Sequence, residues 1–369
     1  MLTSVYIDNF ACFVNFEFQP ARKQLLYGAN GSGKTKLCQA ILSIRRLALS
    51  GEKAEAVFPA FTHTRWQEGT SAQTFEIGAT LGEFAYRYRL VVDRFGSPPL
   101  ARVRGESVTC EGKPIFSFQD GEVQLFNDQF EAKVKFPFDR ERSALSAVVR
   151  GPDNRYLYRF LDWFYSLWFF QINPFEMTNA TEAETSIPAP NLSNFAAWYR
   201  HLAQDDPRAI GVFLDDLKGS LDSFADLNLK AFSTATKTLL SSFSAEGHRP
   251  VTFALSELSE GQRCLIGLYA ILHFAIRRGQ TVFLDEPDNF VALREIQPWL
   301  TAVEEALEEH SGQIFLISHH PEILNQWLPE SGIRFKRENF GPVRVMPYQH
   351  PPDSPLLPAE VVARGWDDE

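Results

Sequence analysis

The sequence predicts an α/β fold built on a parallel sheet, and three observations support this prediction. A glycine-rich loop stands between a short apolar run and a helical pattern. In the last third of the chain strands alternate with helices, which is the pattern of a parallel sheet with helical crossovers. Two carboxylates directly follow one of those strands, at the end where parallel sheets place their sites.

The glycine-rich loop occupies residues 28–35 and reads Gly-Ala-Asn-Gly-Ser-Gly-Lys-Thr. Its glycines let the backbone curl so that successive N–H groups point at a β-phosphate, and the following helix directs its positive end at the same anion. Lys34 adds a point charge, and Thr35 offers its hydroxyl to Mg²⁺. The pattern predicts that a nucleoside triphosphate is bound by Asn30, Gly31, Ser32, Gly33, Lys34 and Thr35.

Strand and helix periodicities surround this loop. Residues 14–19 alternate apolar and polar side chains, as a half-exposed strand does, and residues 24–27 indicate a more buried strand. A helix follows the loop and ends near Gly51. Its apolar face is formed by Leu37, Ile41, Ile44 and Ala48.

The middle of the chain changes from strands to helices. Strand patterns separated by turn signals predict an antiparallel sheet folded onto the nucleotide-binding core. Residues 142–170 read as helical, residues 173–191 as a loop, and two helical stripes flank a break at residues 205–207. We therefore expect an inserted helical lobe. The antiparallel strands are predicted at residues 74–79, 83–92, 101–109 and 123–126.

The last third returns to alternating elements, and a proline-rich tail from Gly341 is expected to be irregular apart from a short helix at residues 359–364. The alternating elements are a helix at about 261–278, a strand at 281–284, a helix at 298–310 and a strand at 313–317. We expect four segments: the first half of the head at 1–140, the helical lobe at 141–250, the second half of the head at 251–330, and the tail at 331–369.

Composition limits the possible functions. The 369 residues are 44% hydrophobic, enough for a large core, and the net charge of −10 argues against a uniformly basic nucleic-acid binder. Local basic clusters such as Arg277-Arg278 keep nucleic acid as a candidate partner. The 4 cysteines form no Cys-x-x-Cys pair, and no histidine stands at metal-ligand spacing. These features indicate a reduced, cytoplasmic protein without a zinc site.

No segment reads as a signal peptide or a membrane span. The N-terminus lacks a basic region followed by an apolar core. The richest apolar stretch, residues 163–170, is too short to cross a bilayer. Its aromatic side chains fit either core packing or a surface that docks a partner. We therefore expect no membrane association.

Two further segments carry candidate chemistry. Asp285 and Glu286 follow an apolar strand, and we expect Asp285 to hold Mg²⁺, directly or through water, while Glu286 polarises the attacking water. Taken alone, such an acidic pair is equally consistent with a turn. Ser259 stands where a helix N-cap belongs, and Gly261 leaves room for a close backbone approach to an anion. Taken alone, this segment also fits an ordinary capped helix.

Together these residues resemble the motifs of ABC-class ATPases in their expected order. With Asn30 and Asn289, and with the order of sheet and lobe, the chain is similar to the soluble RecF/SMC-like AAA-type ATPases over about residues 1–325. The resemblance implies a P-loop NTPase fold: an ABC-ATPase-like head with an antiparallel β subdomain and an inserted α-helical lobe. The matching motifs are the Walker A loop at 28–35, the signature Leu258-Ser-Glu-Gly-Gln262, the Walker B end Asp285-Glu286-Pro287, and the switch histidine in Ile317-Ser318-His319.

The resemblance also implies an ATPase that dimerises head to tail and encloses two ATP molecules with Mg²⁺. Relatives without a coiled-coil arm often act in DNA repair or anti-phage defence, which implies a partner effector such as a nuclease or toxin. No nuclease motif stands out in this chain. The implied catalytic residues are Glu286, His319 and Lys34; the implied Mg²⁺ ligands are Thr35 and Asp285; and the second subunit contributes Ser259, Gly261 and Gln262 to the nucleotide site.

Some assignments stay open. Glu260 replaces the glycine usual in transporters, and the residues after Pro287 leave the cross-dimer contact of Asp288 undecided. Two glutamines, Gln129 and Gln171, are candidates for the Q-loop. The spacing from the preceding strand favours His319 over His320 as the histidine that senses the phosphate. The alternatives in function are a P-loop kinase or GTPase, which needs no signature motif, and a nucleotide-binding scaffold or switch with little turnover that sequesters or presents an effector.

Overall fold

The structure is a computed structural model. It describes residues 1–67, 69, 72–244, 247, 249–352 and 354–368. The strands, in chain order, are β1 (Leu2–Asp8), β2 (Phe16–Phe18), β3 (Lys23–Tyr27), β4 (Gln73–Leu81), β5 (Phe84–Phe95), β6 (Leu100–Cys110), β7 (Lys113–Gln119), β8 (Glu122–Phe126), β9 (Ala132–Pro137), β10 (Leu167–Phe170), β11 (Ala180–Thr181), β12 (Phe224–Ala231), β13 (Lys237–Phe243), β14 (Val251–Ala254), β15 (Thr281–Asp285), β16 (Gln313–Ile317), β17 (Gly332–Lys336) and β18 (Arg344–Pro347).

Helices and short turns of helix connect these strands. The α-helices are α1 (Lys34–Ser50), α2 (Ala54–Val57), α3 (Arg155–Tyr165), α4 (Phe195–Asp205), α5 (Pro207–Ser220), α6 (Glu260–Ile271), α7 (Leu293–Glu309), α8 (Pro321–Ser331) and α9 (Pro358–Arg364). One turn of π-helix, Leu272–Ile276, continues α6.

The chain forms two compact units. One unit comprises Met1–Leu167 with Ser331–Tyr348, and the other comprises Trp168–Glu330 with Gln349–Glu369. Each unit thus joins segments that are distant in sequence. These units do not follow the four predicted segments, and that division stays a prediction.

The first unit contains the predicted antiparallel sheet. Its strand order is β2-β1-β4-β5-β6-β7-β8-β9, so that every neighbouring pair is antiparallel. In the same unit β17 pairs in parallel with β3 and antiparallel with β18. Helix α1 follows β3 and ends at Gly51, which adopts the left-handed conformation with φ of 69°. The predicted apolar face of α1 is confirmed as buried.

The second unit contains the predicted pair of parallel strands. β15 and β16 pair in parallel from Thr281 opposite Gln313 to Asp285 opposite Ile317. All ten residues are buried, and the apolar ones form the continuous runs 282–284 and 314–317, as is typical of a parallel sheet. The rings of Phe283 and Phe315 stack with centroids 4.3 Å apart.

The segment predicted as helical between residues 142 and 170 is only partly so. A 3-10 turn covers Ala144–Ala147, α3 covers Arg155–Tyr165, and the last four residues form β10. Ser166 ends the helix, and its N–H donates to the carbonyl oxygens of Asp162 and Trp163. Aromatic side chains favour strands as much as buried helix faces, so their density misidentified β10.

The predicted helical lobe also contains strands. Within the second unit β13 pairs antiparallel with β11, β12 and β14. Helices α4 and α5 supply the helical part, and the hydroxyl of Tyr199 on α4 donates to the carbonyl oxygen of Leu227 on β12 at 2.7 Å. In the tail, the predicted short helix is confirmed as α9, whereas β18 was not expected.

The cysteines are all buried and form no disulfide. Burial raises the pKa of the Cys12 and Cys110 thiols, and it raises that of Cys264 to about 12. The Cys264 thiol donates to the carbonyl oxygen of Pro287 at 3.3 Å. Among the described helices, none combines the length and the apolar character that crossing a bilayer requires.

Candidate nucleotide-binding elements

The phosphate loop in the first unit joins the end of β3 to the start of α1. Gly33 is the N-cap of α1 and has φ of 109°, which an L side chain rarely adopts. A Cβ at this position would lie 2.8 Å from Val343 Cγ2 and 3.1 Å from Cys12 Sγ. Both the backbone conformation and the close packing therefore require glycine here.

The side chain of Lys34 is held inside this loop. Only 6% of the residue is exposed, and its Nζ donates to the carbonyl oxygen of Gly28 at 2.6 Å and to that of Ala29 at 3.2 Å. These bonds fix the ammonium group within the curl of the backbone. A point charge in that position suits a bound polyphosphate.

The loop also contains a buried hydroxyl without a hydrogen-bond partner among the described residues. This hydroxyl is the Oγ of Ser32, whose residue is 4% exposed. The N–H of Ser32 closes the turn by donating to the carbonyl oxygen of Ala29 at 3.1 Å. A buried polar group without a partner is energetically unfavourable, and a phosphate oxygen would satisfy it. The loop therefore fits the triphosphate that the sequence predicts.

One residue beside this loop was missed by the sequence analysis. Arg337 Nη1 donates to the carbonyl oxygen of Gly31 at 3.0 Å. It stands directly after β17, a strand that lies in the predicted tail segment at 331–369, before the part that is expected to be irregular. No local motif identifies this arginine, because its position depends on the pairing of β17 with β3.

In the second unit, Asp285 and Glu286 lie at the carboxyl end of β15. Asp285 is the last strand residue and is 3% exposed. Glu286 has φ of 49°, and its N–H donates to the carbonyl oxygen of Ile317 at 2.8 Å. A left-handed backbone at a residue other than glycine is unfavourable by about 1–3 kcal/mol and is common at functional sites. The backbone thus turns sharply at the residue predicted to be the base.

Asn289 contacts this glutamate. Its Nδ2 donates to Glu286 Oε2 at 2.9 Å, and its N–H donates to the carbonyl oxygen of the same residue at 3.4 Å. The amide therefore fixes one carboxylate oxygen and leaves Oε1 to other partners. Asn289 is thus a positioning residue for the predicted base.

His320, the second of the two neighbouring histidines, contacts the first turn of a helix. Nδ1 of His320 accepts a hydrogen bond from the N–H of Glu322 at 3.3 Å, so that its ring supports the first turn of α8. The N–H of His320 also donates to Ser318 Oγ at 3.0 Å. Because His320 serves the start of a helix, the assignment of His319 as the sensor is retained as a prediction.

Asp288 lies close to the segment that contains the two histidines. Its pKa is raised, first by burial and to a smaller extent by the charge of Glu286, while the hydroxyl of Ser318 lowers it. The carboxyl group therefore contacts Ser318, which directly follows β16. Its role across a dimer stays open.

The signature segment forms a capped helix, as its sequence predicts. Ser259 Oγ accepts from the N–H of Gln262 at 3.3 Å, and Gln262 Oε1 accepts from the N–H of Ser259 at 3.0 Å. This reciprocal pair is a capping box. It gives Gln262 a structural role in addition to its predicted contact with nucleotide.

The helix that begins with this capping box packs on the loop after the acidic pair. A Cβ on Gly261 would lie 2.9 Å from the carbonyl oxygen of Phe290. Together with the Cys264 bond to Pro287, this contact brings the signature segment next to residues 287–290. The second unit therefore contains three of the four predicted motifs, and this contact joins two of them, the signature and the segment that follows the acidic pair.

A Mg²⁺ ion would need oxygen ligands, which Thr35 and Asp285 can provide. The described residues contain no group of three or more His, Cys, Asp or Glu side chains arranged to hold a metal. This agrees with the usual binding of Mg²⁺ by one or two protein oxygens together with phosphates and water. The two residues belong to different compact units, and their joint use as ligands stays a prediction.

The Q-loop glutamine also stays open. Gln171 directly follows β10, and its N–H donates to the carbonyl oxygen of Pro190 at 2.8 Å. Gln129 lies in the turn between β8 and β9, where its N–H donates to Asn127 Oδ1 at 3.0 Å. Both positions follow a strand, so neither glutamine is excluded.

A phosphate loop before a helix, an acidic pair after a parallel strand and a capped signature helix define a P-loop ATPase of the ABC class. Residues 25–325 match the family described as "AAA domain, putative AbiEii toxin, Type IV TA system". The chain belongs to this family. A comparison with curated proteins gives no significant match.

Solved structures of SMC head domains share the fold. The SMC head domain from Thermotoga maritima is 15% identical, covering 95% of this chain and 99% of its own, with a TM-score of 0.50. An SMC head bound to the C-winged helix domain of ScpA is 12% identical, covering 94% and 98%, with a TM-score of 0.56. The Smc head with an extended coiled coil, bound to the C-terminal domain of ScpA derived from Pyrococcus furiosus, is 11% identical, covering 100% and 98%, with a TM-score of 0.54.

These comparisons confirm the predicted RecF/SMC-like ABC-type AAA ATPase fold. Among the described helices the longest, α1 and α7, have 17 residues each. The part of the chain that the structure describes therefore contains no coiled-coil arm.

Proposed function

We propose that the chain is a Mg²⁺-dependent ATPase that dimerises on ATP and thereby controls a partner effector, a nuclease or toxin, or DNA. The observation that carries the proposal is the position of Glu286. It follows Asp285 at the end of a buried parallel strand and has the left-handed backbone often found at functional residues. An acid retained in this position is suited to activating water.

The residues have separate roles in the proposed hydrolysis. Lys34 and the N–H groups of the phosphate loop stabilise charge on the phosphates. Glu286 accepts the proton of the attacking water, and His319 contacts the γ-phosphate. Thr35 and Asp285 would hold Mg²⁺, which would supply positive charge next to the phosphate oxygens.

The proposed dimer uses the signature segment of a second copy. Ser259 is exposed, and the capping box presents the start of a 12-residue helix. An exposed helix N-terminus favours an anion, which supports the proposal that Ser259, Gly261 and Gln262 meet the γ-phosphate of the other subunit. Hydrolysis would then remove the group that bridges the two subunits.

The proposed partner rests on the comparisons. The family description names a putative AbiEii toxin and a type IV toxin–antitoxin system. Two of the similar SMC heads are bound to a domain of another protein, ScpA. These names support our proposal that the chain acts in anti-phage defence or DNA repair, in the cytoplasm and on a separate effector.

A second candidate function is a switch with little turnover that binds ATP and presents an effector. The hydrogen bond from Asn289 to Glu286 favours it, because an amide donor draws negative charge away from a general base. Both functions predict ATP binding and dimerisation. They differ in the rate of hydrolysis.

The test compares three proteins: the wild type, Glu286→Gln, and Glu305→Gln, which changes an exposed glutamate on α7. ATP hydrolysis and sedimentation velocity are measured with Mg²⁺. Loss of a general base predicts that Glu286→Gln turns over at least about 100-fold more slowly. We expect this variant to accumulate as an ATP-bound dimer and Glu305→Gln to match the wild type.

Unchanged hydrolysis in Glu286→Gln would discard the catalytic assignment. A wild type that dimerises on ATP but hydrolyses it no faster than Glu286→Gln would support the switch. If the wild type and Glu286→Gln both stay monomeric with ATP, the proposed nucleotide site shared between two subunits is refuted.

A further inference from the structure

Arg337 is placed beside the phosphate loop by the pairing of two strands. β17 runs parallel to β3, with Arg334 opposite Tyr27, so both strands end at the same edge of the sheet. β3 continues there into the phosphate loop, and β17 continues into Arg337. The contact between Arg337 and Gly31 therefore follows from the register of these strands.

The guanidinium group of Arg337 binds three backbone carbonyl groups. Besides Gly31 it donates to the carbonyl oxygens of Phe340 at 2.8 Å and Gly341 at 2.9 Å. Each of these acceptors is neutral, and among the described side chains no carboxylate forms an ion pair with it. Arg337 thus fixes the loop and leaves a positive charge beside it, which attracts a polyanion.

Trp66 packs against the same guanidinium group. The central carbon of the Arg337 guanidinium lies 4.9 Å from the centre of the Trp66 ring. Trp66 is nevertheless 42% exposed, so that part of the indole is open to solvent. Single exposed aromatic residues are common, and it is the position of this one that is informative. The Arg337 side chain contacts both the Trp66 ring and the loop that is predicted to hold phosphates.

We propose that Trp66 is the platform on which the base of the nucleotide stacks, and that Arg337 positions it relative to the phosphate loop. This inference rests on the proposed function, because it assumes that the loop binds a triphosphate. The ligand is a nucleoside triphosphate recognised through the π-face of its base. Stacking tolerates different bases because each has such a face, so we expect ATP and GTP to bind similarly.

Neither Trp66 nor Arg337 belongs to a recognised sequence motif. Arg337 lies outside residues 25–325, the part of the chain that matches the family. Trp66 lies inside that range but belongs to none of the four motifs. The pair would allow the chain to distinguish a nucleotide from a simple polyphosphate.

The chain provides a matched control for Trp66. Trp366 is also 42% exposed, and the central carbon of the Arg364 guanidinium lies 5.1 Å from the centre of its ring. This second pair belongs to the other compact unit. Trp366→Ala therefore removes an equivalent surface tryptophan and cation–π contact at a different place.

The experiment measures the affinity of the full chain for ATP, GTP and inorganic tripolyphosphate by calorimetry. The proteins are the wild type, Trp66→Ala, Trp66→Phe, Arg337→Ala and Trp366→Ala. Base stacking predicts that Trp66→Ala weakens ATP binding about tenfold and leaves tripolyphosphate binding unchanged. Trp66→Phe should retain most of the ATP affinity, and Arg337→Ala should weaken the binding of both ATP and tripolyphosphate.

The outcomes separate this inference from the proposed function. If the wild type binds neither ATP nor tripolyphosphate, the proposed function fails. If it binds both, but Trp66→Ala changes their affinities by the same factor, or Trp366→Ala reproduces the loss, the stacking platform is refuted while the proposed function stands.

Discussion

Gly261 and Phe290 are in such close contact that a Cβ on residue 261 would lie 2.9 Å from the carbonyl oxygen of residue 290. The first residue belongs to the signature helix, and the second belongs to the loop that follows the acidic pair. Two segments with proposed roles in nucleotide chemistry therefore share one packing contact. A movement of either segment must be accommodated by the other, because packed interfaces do not deform continuously.

This contact predicts the effect of Gly261→Ala. The added methyl group overpacks the contact, so we expect the free energy of unfolding to fall by about 1–3 kcal/mol. Urea denaturation measures the change. The control is Gly211→Ala in α5, where a Cβ would meet nothing within 4 Å. That substitution should stabilise the protein by about 0.5–1 kcal/mol, because glycine is unfavourable inside a helix. Equal effects of the two substitutions would contradict the packing argument.

The hydrogen bond between Asn289 and Glu286 predicts a kinetic effect. Removal of the amide in Asn289→Ala leaves the carboxylate less well oriented, and we expect turnover of ATP to fall about tenfold with little change in ATP affinity. Steady-state hydrolysis and equilibrium binding measure the two quantities. Asn289→Asp, which replaces the donor by a negative charge, should be slower still. An accelerated Asn289→Ala would show instead that the amide restrains the base.

The two histidines predict opposite responses to substitution. We expect His319→Ala to lower hydrolysis about 100-fold, since its proposed role is in the reaction. His320→Ala removes an acceptor from the first turn of α8 and should destabilise the protein by about 1 kcal/mol while retaining hydrolysis. Hydrolysis assays and urea denaturation on both variants decide the assignment. The reverse pattern would identify His320 as the sensor.

A buried carboxyl group in β6 predicts how stability depends on pH. Burial raises the pKa of Glu106 from 4.5 to about 7, although the hydroxyls of Ser143 and Tyr88 oppose the shift. Both hydroxyls donate to Glu106 Oε1 at 2.7 Å. Because the folded pKa is higher than the unfolded one, the stabilising contribution is complete below pH 4.5 and is lost as pH rises to about 7.

The measurement is the urea midpoint between pH 5 and 8 for the wild type and Glu106→Gln. The wild type should lose up to about 3 kcal/mol relative to the variant as pH rises across this range. The variant retains a similar shape and an acceptor for the hydroxyls, and it cannot ionise. Parallel pH profiles for the two proteins would show that Glu106 ionises equally in the folded and unfolded states over this range, so that its pKa is not raised by folding.

Local sequence patterns account for the elements around the predicted chemistry. The strands β15 and β16 contain the apolar runs 282–284 and 314–317, and α1 has a regular apolar face and is followed by a glycine at residue 51. Both kinds of element can therefore be predicted from their own residues. The loop at 28–35 and the acidic pair were placed in the same way. The number of residues between two motifs does not indicate how far apart they lie in the folded chain. Each motif could therefore be predicted from the sequence, but the distances between motifs could not.

Other features depend on contacts between distant residues. β17 pairs with β3 across some three hundred positions, and only this pairing brings Arg337 to Gly31. Sequence reasoning assigned the small size of Gly261 to nucleotide approach, whereas the structure also assigns it to contact with Phe290. The strand β10 was misread because aromatic residues suit both kinds of secondary structure.

The buried cysteines have a practical consequence. A thiol reacts with maleimides as the thiolate, and Cys12, Cys110 and Cys264 are both shielded from solvent and shifted toward the protonated form. The native, folded chain should therefore react with maleimides only very slowly. One cysteine introduced on the surface would then carry a single fluorophore, so that the approach of two chains could be followed by energy transfer without first removing any natural thiol.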